Sequence, residues 1–208
     1  AENLPTSDAP GRVTSWSAKG LLAKVYLTMA QYNLNSDAAA SADYFAKAKS
    51  YAQEVIQSSG LTLMPKYDDL FRIANNNNSE SLFALQWMEG GYALGNSRQA
   101  NWARSSLITG NTEAWGGGKC MTYDFLEDVD PADKRKSATY MDVNDFYPEI
   151  NKLNGGYKYF IVNRNAEGQE IESASPTLTA LKKFVVGSSD DNDGKVTTGQ
   201  ATAVNQYI

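Results

Sequence analysis

From Val13 to Asn33 the chain reads VTSWSAKGLLAKVYLTMAQYN, with Trp16, Leu22, Val25, Tyr26 and Met29 near i, i+3, i+4 spacing and Ala18, Gly20, Ala23 and Ala30 between them. At 3.6 residues per turn these positions share one face, so the pattern predicts an amphipathic helix whose small residues admit a close neighbour. The segment Ser41 to Gly60 repeats the pattern through Tyr44, Phe45, Ala48, Ala52, Val55 and Ile56. Gly60 sits where a helix ends in a left-handed glycine. Together the two segments predict a helical hairpin over 13–60. Ser41, Phe45 and Ala48 keep the small, aromatic, small spacing of the second helix of a tetratricopeptide repeat. One repeat cannot cover both of its faces, so further helices are expected beside it.

Beyond Leu61 the periodicity breaks down. LTLMPKYDDLF alternates and then turns, NNNNSE is a loop, and SLFALQW (Ser81 to Trp87) predicts a short strand. From Met88 to Gly118 the pattern predicts mainly loop, with one short helix near Ala100 to Leu107. TYDFLEDVDPADKRK predicts two short helices separated at Pro131, and YKYFIV and LTALKKFVV read as strands or extended segments. A loop of the length expected from Met88 to Gly118 inside a compact domain means either that an element there escapes the pattern or that the segment is a functional surface. Its oddest part is QANWARSSLITGNTEAWGGGKC, where Trp102 and Trp115 stand in a run of Asn, Ser, Thr and Gly. Such rings either meet a ligand or plug their loop onto the body of the protein.

Composition narrows the chemistry. A net charge of −5 without a dense Lys/Arg cluster argues against nucleic acid and anionic membrane as partners. The absence of histidine removes the commonest general base, metal ligand and activator of a nucleophilic Ser or Cys. A single cysteine, Cys120, supports neither an internal disulfide nor a CxxC metal site. There is no run of roughly 20 apolar residues and no signal-like N-terminal region. With 12 Tyr and 4 Trp, the chain is equipped instead for a polyhydroxylated, uncharged ligand.

Several stretches in order, GRVTSWSAKGLLAKVYLTMA, YAQEVIQSSGLTLMPKYDDLF, NNNSESLFALQW, the WGGG loop, DFLEDVDPADKR and LKKFV, resemble the central portion of the SusD/RagB family. Asp133-Lys134-Arg135 is similar to that family's acidic D-x-R segment. The resemblance covers the whole chain. It implies a mainly α fold: a tetratricopeptide-like helical hairpin scaffold with a loop-rich irregular region and a few short β-strands. Residues 1–208 would form one SusD-like domain, a fragment of a longer protein, with the hairpin at 13–60 and a ligand-binding region at 61–208. It also implies a non-enzymatic, surface-exposed outer-membrane lipoprotein of polysaccharide utilisation, without cofactor or metal. Such a protein would bind starch or another glycan for nutrient uptake and pass it to a SusC-type TonB-dependent transporter. The alternative is a helical-repeat interaction module without a carbohydrate site, and a fragment with uncovered helices is expected either to self-associate or to be markedly less stable than a longer chain.

A sugar offers a flat C–H face and a rim of hydroxyls, so an aromatic plate with planar hydrogen-bonding neighbours is the expected receptor. Trp102 and Trp115 are the candidate plates, with Asn101, Arg104 and Asn111 at the rim and Tyr92 and Tyr123 as further rings. Asp124, Glu127, Asp128, Asp130 and Asp133 invite a glycosidase reading, but their spacing is that of ordinary exposed helices and caps. SSDDNDGKV places Asp191, Asp193 and Gly194 at EF-hand-like positions, yet Ser189 and Gln200 occupy the two ends, so a polar turn is the preferred reading.

Overall fold

Thr14 and Asp37 start the two long helices. Thr14 accepts a hydrogen bond from the Ser17 backbone N–H while the Ser17 hydroxyl accepts from the Thr14 N–H, a reciprocal capping box. The Asp37 carboxylate accepts from the Ala40 N–H. The computed structural model describes residues 1–88, 95–160, 163–164, 170–172, 177–196 and 206–207. Among them are helices α1 (Ser15–Asn33), α2 (Ala38–Ser58), α3 (Arg98–Trp102), α4 (Ser106–Thr109), α5 (Tyr123–Asp128) and α6 (Lys136–Thr139). The strands are β1 (Ala84–Leu85), β2 (Tyr140–Met141), β3 (Phe146–Tyr147), β4 (Tyr157–Lys158), β5 (Asn163–Arg164), β6 (Glu170–Glu172), β7 (Ala180–Leu181) and β8 (Gln206–Tyr207). No helix among the described residues is long and apolar enough to cross a membrane.

The chain divides into two compact units, the first comprising residues 1–64, 77–86 and 206–208 and the second residues 65–76 and 87–205. In the first unit α1 packs on α2 through the small residues that the pattern singled out. Ala30 is fully buried, and the hydroxyl of buried Ser41 donates to its carbonyl at 2.8 Å. Tyr26 stacks between Tyr44 and Tyr51 at centroid distances of 6.0 and 5.9 Å, and Lys19 pairs with Glu54 at 2.6 Å. Helix α2 begins three residues before Ser41, because Asp37 supplies the cap and three alanines continue the turn. The predicted strand at 81–87 is only Ala84–Leu85, paired antiparallel with β8.

The second unit is held by side chains rather than by long elements. Its antiparallel pairs are β2 with β7, β3 with β4, and β5 with β6. Over these packs a core of Ile108, Met141, Tyr147, Ile150, Tyr157, Tyr159 and Val185. A smaller cluster joins Ile73, Phe184, Val186 and Val196. The single helix expected near Ala100–Leu107 is two, α3 and α4. Ala103 turns extended (φ −62°, ψ 128°), and the Ser105 hydroxyl caps the second helix at the Leu107 N–H. Helix α5 lies before Pro131 as the pattern predicts, but residues 131–135 form turns and α6 begins only at Lys136, at the end of the predicted stretch.

Candidate functional site

Helix α3 is the anchor of the aromatic loop. Gln99 on its buried face is 0% exposed. Its side chain donates to the Gly187 carbonyl at 2.7 Å and accepts from the Val186 and Gly187 N–H groups at 2.6 and 3.0 Å. Every polar atom of that amide therefore binds the backbone of one neighbouring segment. At the end of the same helix Trp102 packs against both core clusters, tilted on Phe184 at 5.6 Å. The Arg98 guanidinium lies over both rings, at 5.5 and 5.4 Å. Trp102 is thus a plug that joins the two clusters.

Trp115 is placed differently. Its backbone N–H donates to the Ala100 carbonyl at 2.7 Å, and the next N–H, of Gly116, donates to Ala103 at 2.9 Å. The Lys119 ammonium donates to the Asn101 carbonyl at 2.6 Å. These three bonds saturate carbonyls at the C-terminal end of α3 and pin the loop there. The approach is so close that a Cβ at residue 116 would fall on the Trp102 carbonyl, which explains the glycine. The indole of Trp115 is left 51% exposed on a fixed backbone. That is the arrangement a stacking platform needs.

The other candidates separate along the same line. Arg104, expected at the rim, is 6% exposed; its Nη1 donates to the Tyr159 hydroxyl at 2.8 Å, and its guanidinium lies over that ring. A guanidinium held inside the core does not reach a surface ligand, so the rim assignment is corrected. The Asn101 amide turns back onto Ser97, donating to its carbonyl at 2.9 Å. Asn111 shapes its own turn, accepting from the Glu113 N–H at 2.8 Å. Tyr123 opens α5, behind the Thr122 cap, and is 64% exposed. Tyr92 lies outside the described residues. The structure therefore brings Asn101, Trp102 and Trp115 together through loop docking and leaves Tyr123 on a separate helix.

The comparisons with known proteins agree with this architecture. A SusD-like protein of Bacteroides ovatus is 37% identical over 210 residues, which take in 100% of this chain and 35% of that protein. The chain belongs to the SusD-like family. A crystal structure determined with xylogluco-oligosaccharide is 36% identical and superposes with a TM-score of 0.81 over 100% of this SusD-like chain and 39% of its own. A SusD superfamily protein from Parabacteroides distasonis shares the fold, at 22% identity and a TM-score of 0.64 over 99% of this chain and 39% of its own. No family model matches. This SusD-like chain spans little more than a third of the length of these relatives.

Two acidic features of the SusD-like chain have structural occupations. Arg135 donates to both carboxylate oxygens of Asp133, the closest at 2.6 Å, and its backbone N–H adds a third donor group. The side-chain bond from Arg135, with that backbone bond, lowers the Asp133 pKa to about 2. Asp191, in the calcium-like loop, is buried and accepts from the N–H groups of Asn151, Lys152 and Ser188 at 2.8–2.9 Å and from the Ser188 hydroxyl at 3.0 Å. Burial works against its charge, but these donors outweigh burial and hold the carboxyl below the usual range. The loop is a polar turn stapled to 151–152. Among the described residues no group of three or more His, Cys, Asp or Glu is arranged to hold a metal. The sequence pattern placed Asp191 in a polar turn but gave no sign of its partners at 151–152, and it did not single out Gln99, a polar residue whose partners lie far along the chain.

Proposed function

We propose that the chain is part of a non-enzymatic glycan-binding protein of the cell surface, with Trp115 as the plate on which a sugar ring stacks. The supporting observation is the half-exposed indole on a loop pinned by Ala100, Asn101 and Ala103. Preorganisation matters because a ring already held in place loses little freedom when a ligand arrives. The 36% identical relative, solved with xylogluco-oligosaccharide, supports an oligosaccharide as ligand. In the full-length protein the glycan would be handed to a SusC-type TonB-dependent transporter of the outer membrane, the protein itself being held there by a lipid anchor. Tyr92 is a further ring proposed to extend the platform, and Tyr123, exposed on α5, is proposed as a separate contact for the same glycan.

Isothermal titration against a glycan panel that includes xylogluco-oligosaccharide tests this reading. Trp115→Ala should weaken binding about tenfold, the value of one good stacking contact. Unchanged affinity would move the site away from the loop. Absence of binding across the panel would favour the interaction-module alternative. Chromatography of the bound oligosaccharide after long incubation should show no shorter product, and turnover lost on Asp→Asn substitution at one acidic position would overturn the non-enzymatic reading.

A further inference from the structure

Beside α5 lies a second cleft, which the Trp115 loop does not line. Tyr67, Phe125, Asp128, Asp133, Arg135 and Tyr140 form most of it, and its volume is about 540 Å³. That falls within the roughly 300–1,000 Å³ of small-ligand sites. Three rings converge there from separate parts of the chain. Phe125 is 40% exposed, and its ring is held edge to face on buried Tyr140, at 6.0 Å and 84°. Tyr67 packs edge-on against Phe71 at 5.2 Å, and its hydroxyl accepts from Lys183 at 3.3 Å. The rings are therefore fixed in attitude before any ligand arrives.

The cations of the cleft are already engaged. Asp133 is gripped by Arg135. The Lys136 ammonium donates to both oxygens of Asp145, at 2.7 and 2.9 Å. Asp130 accepts from the Ala132 N–H at 2.8 Å. With both of its cations paired to carboxylates, the cleft has little hold on an anion. It offers aromatic faces flanked by planar polar groups that can still share hydrogen bonds, with Asp128 exposed on the rim. Those features match a neutral, polyhydroxylated ligand.

We propose that this cleft is a second carbohydrate-binding site, taking another segment of the glycan chain that the Trp115 loop engages, with Phe125 as its ring platform and Asp128 and Arg135 as hydroxyl partners. This rests on the glycan-binding reading above. Two sites on one chain let a long polymer be held at both, so that the second contact forms at high effective concentration.

Affinity electrophoresis in gels containing xyloglucan, laminarin or starch tests the cleft, using the full chain as wild type, Phe125→Ala, Asp128→Ala, Trp115→Ala and the Trp115→Ala/Phe125→Ala double variant. Thermal melts establish that each is folded. Phe125→Ala should weaken polymer retention about tenfold, as expected for one stacking contact. Asp128→Ala, which leaves the ring packing intact, should also weaken it. The double variant should lose the retention that Trp115→Ala keeps. Polymer retention by Phe125→Ala and Asp128→Ala equal to wild type, while Trp115→Ala still weakens it, overturns the second site and leaves the first standing. A wild-type chain retained by none of the polymers overturns both. If Phe125→Ala melts early, Asp128→Ala decides the matter.

Discussion

Two tryptophans of one loop have opposite fates, and the residues that decide them lie elsewhere. Trp102 meets Phe184 and the Arg98 guanidinium, whereas Trp115 is attached by its backbone and keeps half of its surface in water. Trp102→Ala is expected to lower unfolding stability by about 3 kcal/mol, the low end for a large-to-small change in a core, and Trp115→Ala by less than about 1 kcal/mol. Chemical denaturation of both variants checks this; similar losses would make both rings plugs. The sequence places both rings in one aromatic and polar stretch, but only the distant Phe184 distinguishes them. Arg104 makes the same point, since a charged residue between Ala103 and Ser105 reads as exposed until Tyr159 receives it. At Asp133 the depressed pKa has a directional consequence. Its ion pair with Arg135 is present above the ordinary carboxylate range and is lost as the pH falls through about 2. NMR titration should find Asp133 half-protonated near pH 2, and Arg135→Gln should return it toward about 4.

Among the elements, the long helices are the legible part, because a 3.6-residue period sustained over α1 and α2 is a strong signal. Even there, the start of α2 depends on the Asp37 side chain rather than on the apolar pattern. The short elements of the second unit carry little period of their own. Strands of two residues cannot alternate visibly, and α3 holds its place through Gln99, whose amide binds Val186 and Gly187. Gln99→Ala would strand a buried carbonyl and two buried N–H groups. It should destabilise the chain by roughly 3 kcal/mol, at about 1–3 kcal/mol for each group left unsatisfied. Thermal and urea unfolding measure it; a loss below 1 kcal/mol would mean that water replaces the amide.

For the whole molecule, the family and the mainly α scaffold were legible because motifs in order carry more information than any one of them. The candidate site was legible only as a loop rich in aromatic and polar residues, for its geometry depends on which backbone groups the loop finds. The hairpin also exposes Leu21 and Ile56, at 55% and 76%. Exposed apolar side chains on packed helices favour association, and the chain is expected to self-associate through the hairpin that carries them. Sedimentation velocity should show the effect diminished by Leu21→Lys with Ile56→Lys, and a wild-type monomer at all concentrations would refute it.

The three glycines after Trp115 are not equivalent. Gly116 is jammed against the Trp102 carbonyl, whereas added Cβ atoms at Gly117 and Gly118 meet nothing within 4 Å. Neither of the latter two has the positive φ that excludes side chains. Gly117→Ala and Gly118→Ala should therefore be neutral or stabilising by up to about 1 kcal/mol, through a less flexible unfolded chain, while Gly116→Ala should dislodge the loop and weaken glycan binding. Next to a proposed sugar platform, then, the surface keeps two vacant building plots. A ring or a hydrogen-bonding group can be added at 117 or 118 without rebuilding the anchor at 116, so the choice of glycan can drift by point substitution while the fold beneath stays as it is.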